Sequence, residues 1–484
     1  NCNGSLTYSS AAPMSADMLS RPEGVAQRVC VQLYDNAGNL AYGASGTITS
    51  DYTAPVFNSL SLANEATDGY INDSEKNLTT NIVSAVSASG HDSMKNNYTI
   101  VTVSTACDAA TGYSSTIPTM AAITSDGVYK ICAKVSDAAG NLAYGASASV
   151  TRKTVAPSFA SLALGDDVAD AYLSMADAVL TKPLAKNLIG SSYDSASYVV
   201  VTGSTICDGS LTYGVMPLDN SGAISSNGGS YKTCVKLIDN AGNTPAFGET
   251  QTFTALIAAP TCSGIPLAGD ALDGYINSVE HQNTTAVVDA ISGASPTVSG
   301  SSYSVISSTA TCDGTQTFSS TAPGSDHATF TTSGAYKVCG RVGDAVNQYG
   351  YCSSQVITSV NVTITFISID RTAIVADGYL NPVEHAMTAD LVTNVVGTNF
   401  DTVNYAVAGS ATSCNAALTY VSSVPKANDA AVSTDGSSYK VCVELSDAAG
   451  NPKAYGTSAT FTYDATPPVF SSLSLIHISE PTRR

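Results

Sequence analysis

Positive charge is scarce in this sequence. Twenty Lys and Arg stand against 39 Asp and Glu, giving a formal net charge of −19, and charged residues of both signs make up only 12% of the chain. Nucleic acids and anionic membrane surfaces are bound through basic stripes, so neither is an expected partner. No apolar run reaches the length of a membrane-spanning helix. There is no GxSxG, HExxH or P-loop, and no GxGxxG in a strand-to-helix context. Closely spaced CxxC pairs of the kind that hold zinc are also missing. These absences together lead to the expectation that the chain is not an enzyme.

What the sequence does have is repetition. The stretch YKICAKVSDAAGN, Tyr129 to Asn141, returns as QRVCVQLYDNAGN from Gln27, YKTCVKLIDNAGN from Tyr231, YKVCGRVGDAVNQ from Tyr336 and YKVCVELSDAAGN from Tyr439. Its aspartate falls at Asp35, Asp137, Asp239, Asp344 and Asp447, a period of about 102 to 105 residues. A second marker keeps the same period: DGYIN at Asp68, DAYLS at Asp170, DGYIN at Asp273 and DGYLN at Asp377. A fixed period marks a tandem array, and a unit of this size can bury its own core. Thr, Ser, Ala, Val, Gly and Tyr dominate, a composition suited to strands and tight turns.

The cysteines follow the period. Five pairs sit one per unit: Cys2 with Cys30, Cys107 with Cys132, Cys207 with Cys234, Cys312 with Cys339, and Cys414 with Cys442. An aromatic follows each first cysteine by six residues (Tyr8, Tyr113, Tyr213, Phe318, Tyr420), and Tyr98, Tyr198, Tyr303 or Tyr405 precedes it by nine in the complete units. Such constant spacing means one fixed geometry, and disulfides in an oxidising extracellular compartment account for it, with free structural thiols the alternative. Alternation places Tyr129, Ile131, Ala133 and Val135 on one face of a strand and Lys130, Cys132 and Lys134 on the other. The same holds for Tyr439, Val441, Val443 and Leu445 against Lys440, Cys442 and Glu444. The bond is therefore expected across neighbouring strands, on the solvent face of one sheet. Lysines beside a free thiol would activate it; beside a disulfide they are ordinary solvated positions. Cys262 and Cys352, both in the fourth unit, fall where first and last strands approach in a sandwich, and are expected to form a sixth bond.

The remaining motifs look chemical but fit local structure. DAAGN between two strand-like runs is hairpin-turn chemistry, with calcium ligation by its aspartate as the other reading. Asn72 with Glu75, Asn277 with Glu280, and Asn381 with Glu384 have capping-box spacing, and Ser174 with Asp177 is a near variant. Pro382 suits the first helical position. A short helical turn is expected there, with the Tyr-Ile or Tyr-Leu pair packed inward. His281 and His385 follow those glutamates, but Lys76 fills the same place in the second unit, so an exposed first-turn residue is expected rather than a metal ligand.

The period divides the chain into a partial repeat at 1–52, repeats at 53–154, 155–257, 258–365 and 366–465, and the start of another at 466–472. The opening NCNGSLTY aligns with the middle of later units, so the first repeat is expected to be truncated. The final segment LSLIHISEPTRR, residues 473–484, resembles a translated sequencing adapter and is set aside from fold and function.

The junctions read DYTAPVF from Asp51 and YDATPPVF from Tyr463. With the DGYIN-x-x-E turn and the closing D-x-AGN strand, they resemble the bacterial immunoglobulin-like repeats of large surface adhesins and biofilm-associated proteins. The resemblance implies an all-β, beads-on-a-string array of immunoglobulin-like β-sandwiches. It also implies a non-enzymatic stalk, outside the cell or on a bacterial surface, that projects a distal binding domain. An accessory array on a secreted carbohydrate-active enzyme or protease is the alternative. The implied partners are adjacent repeats and, through regions not present, a cell-surface or matrix ligand. Such families bind calcium at linkers through aspartates, which makes Asp51 and Asp464 candidate ligands. The junctions RKTVAPSF and ALIAAPTC lack that aspartate.

Overall fold

Strands predominate among the regular elements, and the nine- or ten-residue strand that carries the second cysteine organises each complete repeat. The computed structural model describes residues 1–19, 22–295 and 297–471; the adapter-like segment lies outside them. The chain falls into two compact units, Asn1–Ala255 and Leu256–Arg484.

In the first unit, the second repeat shows the plan. Its strands are β1 (Val56–Ser59), β2 (Tyr70–Ile71), β3 (Ser87–Ser89), β4 (Asn97–Thr102), β5 (Gly127–Ser136), β6 (Leu142–Ala146) and β7 (Val150–Arg152). One edge of β5 carries β4 along Tyr129–Lys134. The other edge is divided: β6 pairs with Cys132–Ser136 and β7 with Gly127–Tyr129. Strand β2 then joins β7 in parallel, completing a five-stranded sheet. Strands β1 and β3 pair antiparallel as the second layer. Between the layers, Ile71, Ile82, Met120, Ile131, Ala133 and Val135 are fully or almost fully buried. The inward row of β5 is thus the alternating apolar row of the sequence. Each large side chain buried here contributes roughly 1.5–3 kcal/mol.

The third repeat repeats the plan around Ser230–Ile238, with Ser158–Leu164 and Ala185–Ser191 as the smaller layer. In the second unit the central strands are Gly334–Gly343 and Ser438–Ser446. The fourth repeat reduces its smaller layer to single bridges, Gly264 with Ser292 and Leu267 with Val288, while Ile265 bridges in parallel to Ser354. An all-β array of immunoglobulin-like sandwiches is therefore the fold.

All four capping boxes close. Asn381 accepts from Glu384 N at 3.1 Å while Glu384 Oε2 accepts from Asn381 N at 3.0 Å. Reciprocal bonds join Asn72 with Glu75, Asn277 with Glu280, and Ser174 with Asp177. Only half of each preceding aromatic-aliphatic pair packs inward. Ile71, Leu173, Ile276 and Leu380 are fully buried, whereas Tyr379 is 55% exposed, because neighbours on a two- or three-residue strand face opposite ways. His281 and His385 are half-buried rather than exposed: His281 Nδ1 lies 2.9 Å from the Ser325 carbonyl, and His385 packs on the Tyr463 ring.

Ala171 holds a left-handed backbone (φ 69°) where Gly69, Gly274 and Gly378 stand in the other repeats. A Cβ in that region costs roughly 1–2 kcal/mol. Ala171→Gly is expected to raise the melting temperature of the third repeat by roughly 4–8 °C, read by thermal hydrogen exchange on the full chain.

The disulfide environment differs from the sequence expectation. Cys132, Cys234, Cys339 and Cys442 do point away from the sandwich core, yet each is fully buried. Their partners are not on a neighbouring strand; Cys107 lies in the loop after β4. That loop folds back over the outer face of the sheet. Ser114 exchanges backbone hydrogen bonds with Tyr98 (2.6 and 2.9 Å), and the Tyr113 ring settles 5.8 Å from that of Tyr144 on β6. The aromatic pair recurs as Tyr8–Tyr42, Tyr213–Phe247, Phe318–Tyr351 and Tyr420–Tyr455. The constant spacings around the first cysteine are those of a roof pinned at three points: bridge, disulfide and ring.

Candidate functional site at the junctions between repeats

The two most regular motifs meet each other across repeats. Each D-x-AGN turn first closes on itself. Asp137 Oδ1 accepts from the backbone N–H groups of Gly140 and Asn141 at 2.7 and 2.9 Å, and Oδ2 accepts from Asn141 Nδ2 at 2.8 Å. The amide of Asn141, foremost among these donors, holds the Asp137 carboxyl below the usual range. The same bonds from Asn39 do so for Asp35.

The asparagine has a second hydrogen on Nδ2, and it goes to the preceding junction. Asn141 donates to the carbonyl of Asp51 at 2.9 Å and Asn243 to that of Lys153 at 2.7 Å, both within the first unit. Within the second unit Asn451 donates to Val360 at 2.8 Å, and Gln348, one methylene longer, donates to Leu256 at 2.7 Å. The amide oxygen is used as well. Asn243 Oδ1 accepts from Asp73 N at 2.8 Å, and Asn451 Oδ1 accepts from Ser278 N at 2.8 Å.

Those two donors are the first residues after the capping asparagines, and the caps reciprocate. Asn72 Nδ2 donates to the Ala241 carbonyl and Asn277 Nδ2 to that of Ala449, each at 3.0 Å. The cap of one repeat and the turn of the next therefore form a clasp of two antiparallel amide bonds, with a third to the linker. Asn243 and Asn451 are only 5% and 2% exposed. A buried amide with every donor and acceptor in use rigidifies its surroundings, whereas one left half-satisfied is costly. Lys153 adds an ion pair to Asp194 at 2.8 Å, and Asp194 in turn accepts from Asn240 N at 2.7 Å.

No family model matches the chain, and no curated protein does. Solved structures do. The chain is similar to bacterial adhesin repeats and to cadherins. A Ca2+-stabilised adhesin that helps an Antarctic bacterium reach out and bind ice matches at 16% identity over 85% of this chain and 100% of its own, with a TM-score of 0.29. The tetra-tandem repeat from the extending region of a large adhesion protein matches at 13% identity over 84% and 99%, with a TM-score of 0.28. The protocadherin gamma B4 extracellular domain matches at 13% identity over 92% and 78%, with a TM-score of 0.25. Scores of this size lend no support beyond the strands already described.

The two calcium candidates are both exposed. Asp51 contributes its carbonyl to Asn141, and the Asp464 carboxylate accepts from Thr466 N at 3.2 Å. Among the described residues no group of three His, Cys, Asp or Glu side chains gathers in metal-binding range. Calcium favours six to eight oxygens with several carboxylates, and this donor set fits it poorly. The six cysteine pairs Cys2–Cys30, Cys107–Cys132, Cys207–Cys234, Cys262–Cys352, Cys312–Cys339 and Cys414–Cys442 are bonded, with Cα atoms 5.3 to 5.9 Å apart.

Sequence reasoning explained the cap and the turn as devices within a repeat and did not see that they touch. One signal was available. An Asx-type turn needs only its aspartate, yet the fourth following position stays an amide even where AGN becomes VNQ.

Proposed function

We propose that the repeats are a non-enzymatic stalk from a bacterial surface adhesin, outside the cell, which carries a distal binding domain away from its anchor. The supporting observation is the clasp: the motifs that recur most faithfully join the second repeat to the third and the fourth to the fifth. A spacer is selected for defined junctions, and buried amide bonds supply them. Adjacent repeats are then the partners that matter within this segment, and its surface-bound ligand belongs to other regions.

Asn451→Ala in the full chain tests the reading. The substitution strands Ser278 N–H and the Val360 carbonyl, at about 1–3 kcal/mol for each buried group left unpaired. Spin labels on the fourth and fifth repeats, read by double electron–electron resonance, should show a distance distribution at least about twice as wide as in the parent. The unsubstituted chain should keep its narrow distribution in EDTA. An equally narrow distribution for Asn451→Ala would remove the clasp as the source of stiffness, and broadening by EDTA alone would transfer that role to a metal at the junction between these two repeats.

A further inference from the structure

One position is buried in every complete repeat and is filled differently each time. It follows the Pro-x pair at Pro118, Pro217, Pro323 and Pro425, and holds Met120, Asp219, Ser325 and Ala427, with exposures of 0, 2, 0 and 0%. The backbone treats all four alike: each N–H donates across to Thr80, Lys182, Thr285 or Ala389, at 3.1, 2.9, 2.9 and 2.7 Å. A second position, three residues before the DGY aspartate, holds Glu65, Asp167, Asp270 and Ile374.

The fourth repeat shows how two polar residues share this place. Ser325 Oγ donates to Asp270 Oδ2 at 2.8 Å. In the third repeat both positions are aspartates. Both carboxyl oxygens of Asp219 and Oδ2 of Asp167 are buried and lack a hydrogen-bond partner, although the two carboxyl groups lie within reach of each other. Three buried carboxylate oxygens with no donor are costly while both groups are ionised. One proton relieves most of that cost, because a protonated Asp219 is neutral and donates to Asp167 as Ser325 donates to Asp270.

We infer that Asp219 and Asp167 form a proton-binding site in which one proton is shared between the two carboxyl groups, so that the third repeat is held closed by acid and loosened as the proton leaves. The surrounding charges are accounted for. Lys182 Nζ pairs with Asp167 Oδ1 at 2.7 Å and is the cation facing the pair. Lys186 is engaged by Asp166, and the Asp177 carboxylate accepts from Ser174 N and Oγ. Burial, then the charge of Asp167, push the Asp219 carboxyl up to about 6. Its folded value lies above its unfolded one, so the stabilisation is fully present below about pH 4 and is lost as pH rises through 6.

Hydrogen exchange on the full chain, corrected for intrinsic rates, tests this between pH 4.8 and 7.5. Peptides covering Lys182–Ala185 and Pro217–Ile224 should lose protection by about tenfold per pH unit up to pH 6 and level off above it, while the equivalent peptides of the fourth repeat do not. In Asp219→Asn the amide donates to Asp167 at every pH, so protection should become pH-independent. Should that variant fold poorly, Asp219→Ser reproduces the pair of the fourth repeat and should give the same result. Equal protection of the unsubstituted chain at both pH values would overturn the site. So would pH dependence that persists in the variants. Recovery of protection at pH 7.5 on adding calcium chloride would assign the place to a cation instead.

Discussion

Gly456→Ala is expected to destabilise the fifth repeat selectively. A Cβ at Gly456 would stand 2.2 to 2.3 Å from three ring atoms of Phe366, distances no packed side chain tolerates. Phe366 belongs to the first strand of its repeat, on the smaller layer, and lies flat on the backbone of the Ala454–Thr457 strand in the larger one. The same face-on contact joins Phe57 to Gly145 and Phe159 to Gly248. The ring cannot retreat without opening the two layers. Overpacking of this kind costs about 1–3 kcal/mol and sometimes more, and the upper end applies because all three contacts are to one rigid ring. For a repeat of this size about 3 kcal/mol lowers the melting temperature by roughly 12–24 °C. Calorimetry of the full chain should show one repeat's share of the unfolding enthalpy moving to lower temperature. Combining the change with Phe366→Leu should recover part of the loss, and additive costs would mean that ring and glycine do not oppose each other.

Removing Cys414–Cys442 as a pair of serines is expected to cost at least as much. The bond closes a separation of 28 residues, worth about 3–4 kcal/mol in the chain-entropy account. Burial adds to this, because Cys442 is fully buried under the roof, and a serine hydroxyl there needs a partner. The loop also loses its covalent pin, leaving the Tyr405–Val421 bridge and the Tyr420–Tyr455 contact to hold it. Urea unfolding should show the fifth repeat melting first, with its Tyr420 environment lost ahead of the core. A midpoint unchanged by the double substitution would reduce the disulfide to an ornament of the roof.

Much of this architecture was legible in the sequence because it is local. Strand alternation placed Ile131, Ala133 and Val135 inward and Cys132 outward, and cap spacing named the four pairs that close. What was not legible depends on chain segments distant in sequence. Cys132 is buried because a loop returns over it, and the fixed position of Tyr113 recorded that return without saying where the ring goes. The clasp was less visible still: Asn72 and Ala241 are 169 residues apart, and Ser278 and Asn451 are 173 apart. A periodic sequence hides such contacts, because a bond to the next repeat and a bond within the same repeat leave the same pattern. The Asp167–Asp219 pair was hidden for the opposite reason. It is the exception in its repeat, and periodicity draws attention away from exceptions.

The disulfides also set how far each repeat can lengthen under tension. An unfolded chain spans about 3.5 Å per residue, and a loop closed by a disulfide contributes almost nothing to that span. In an ordinary repeat the bond withholds 25 to 28 residues, leaving about 75, or ~260 Å of unfolded contour. In the fourth repeat, Cys262–Cys352 withholds 90, leaving fewer than about 20 residues and ~60 Å. Pulled from its ends, that repeat would behave as a nearly inextensible link between neighbours that can yield, and the load at which the array lengthens would be set on either side of it.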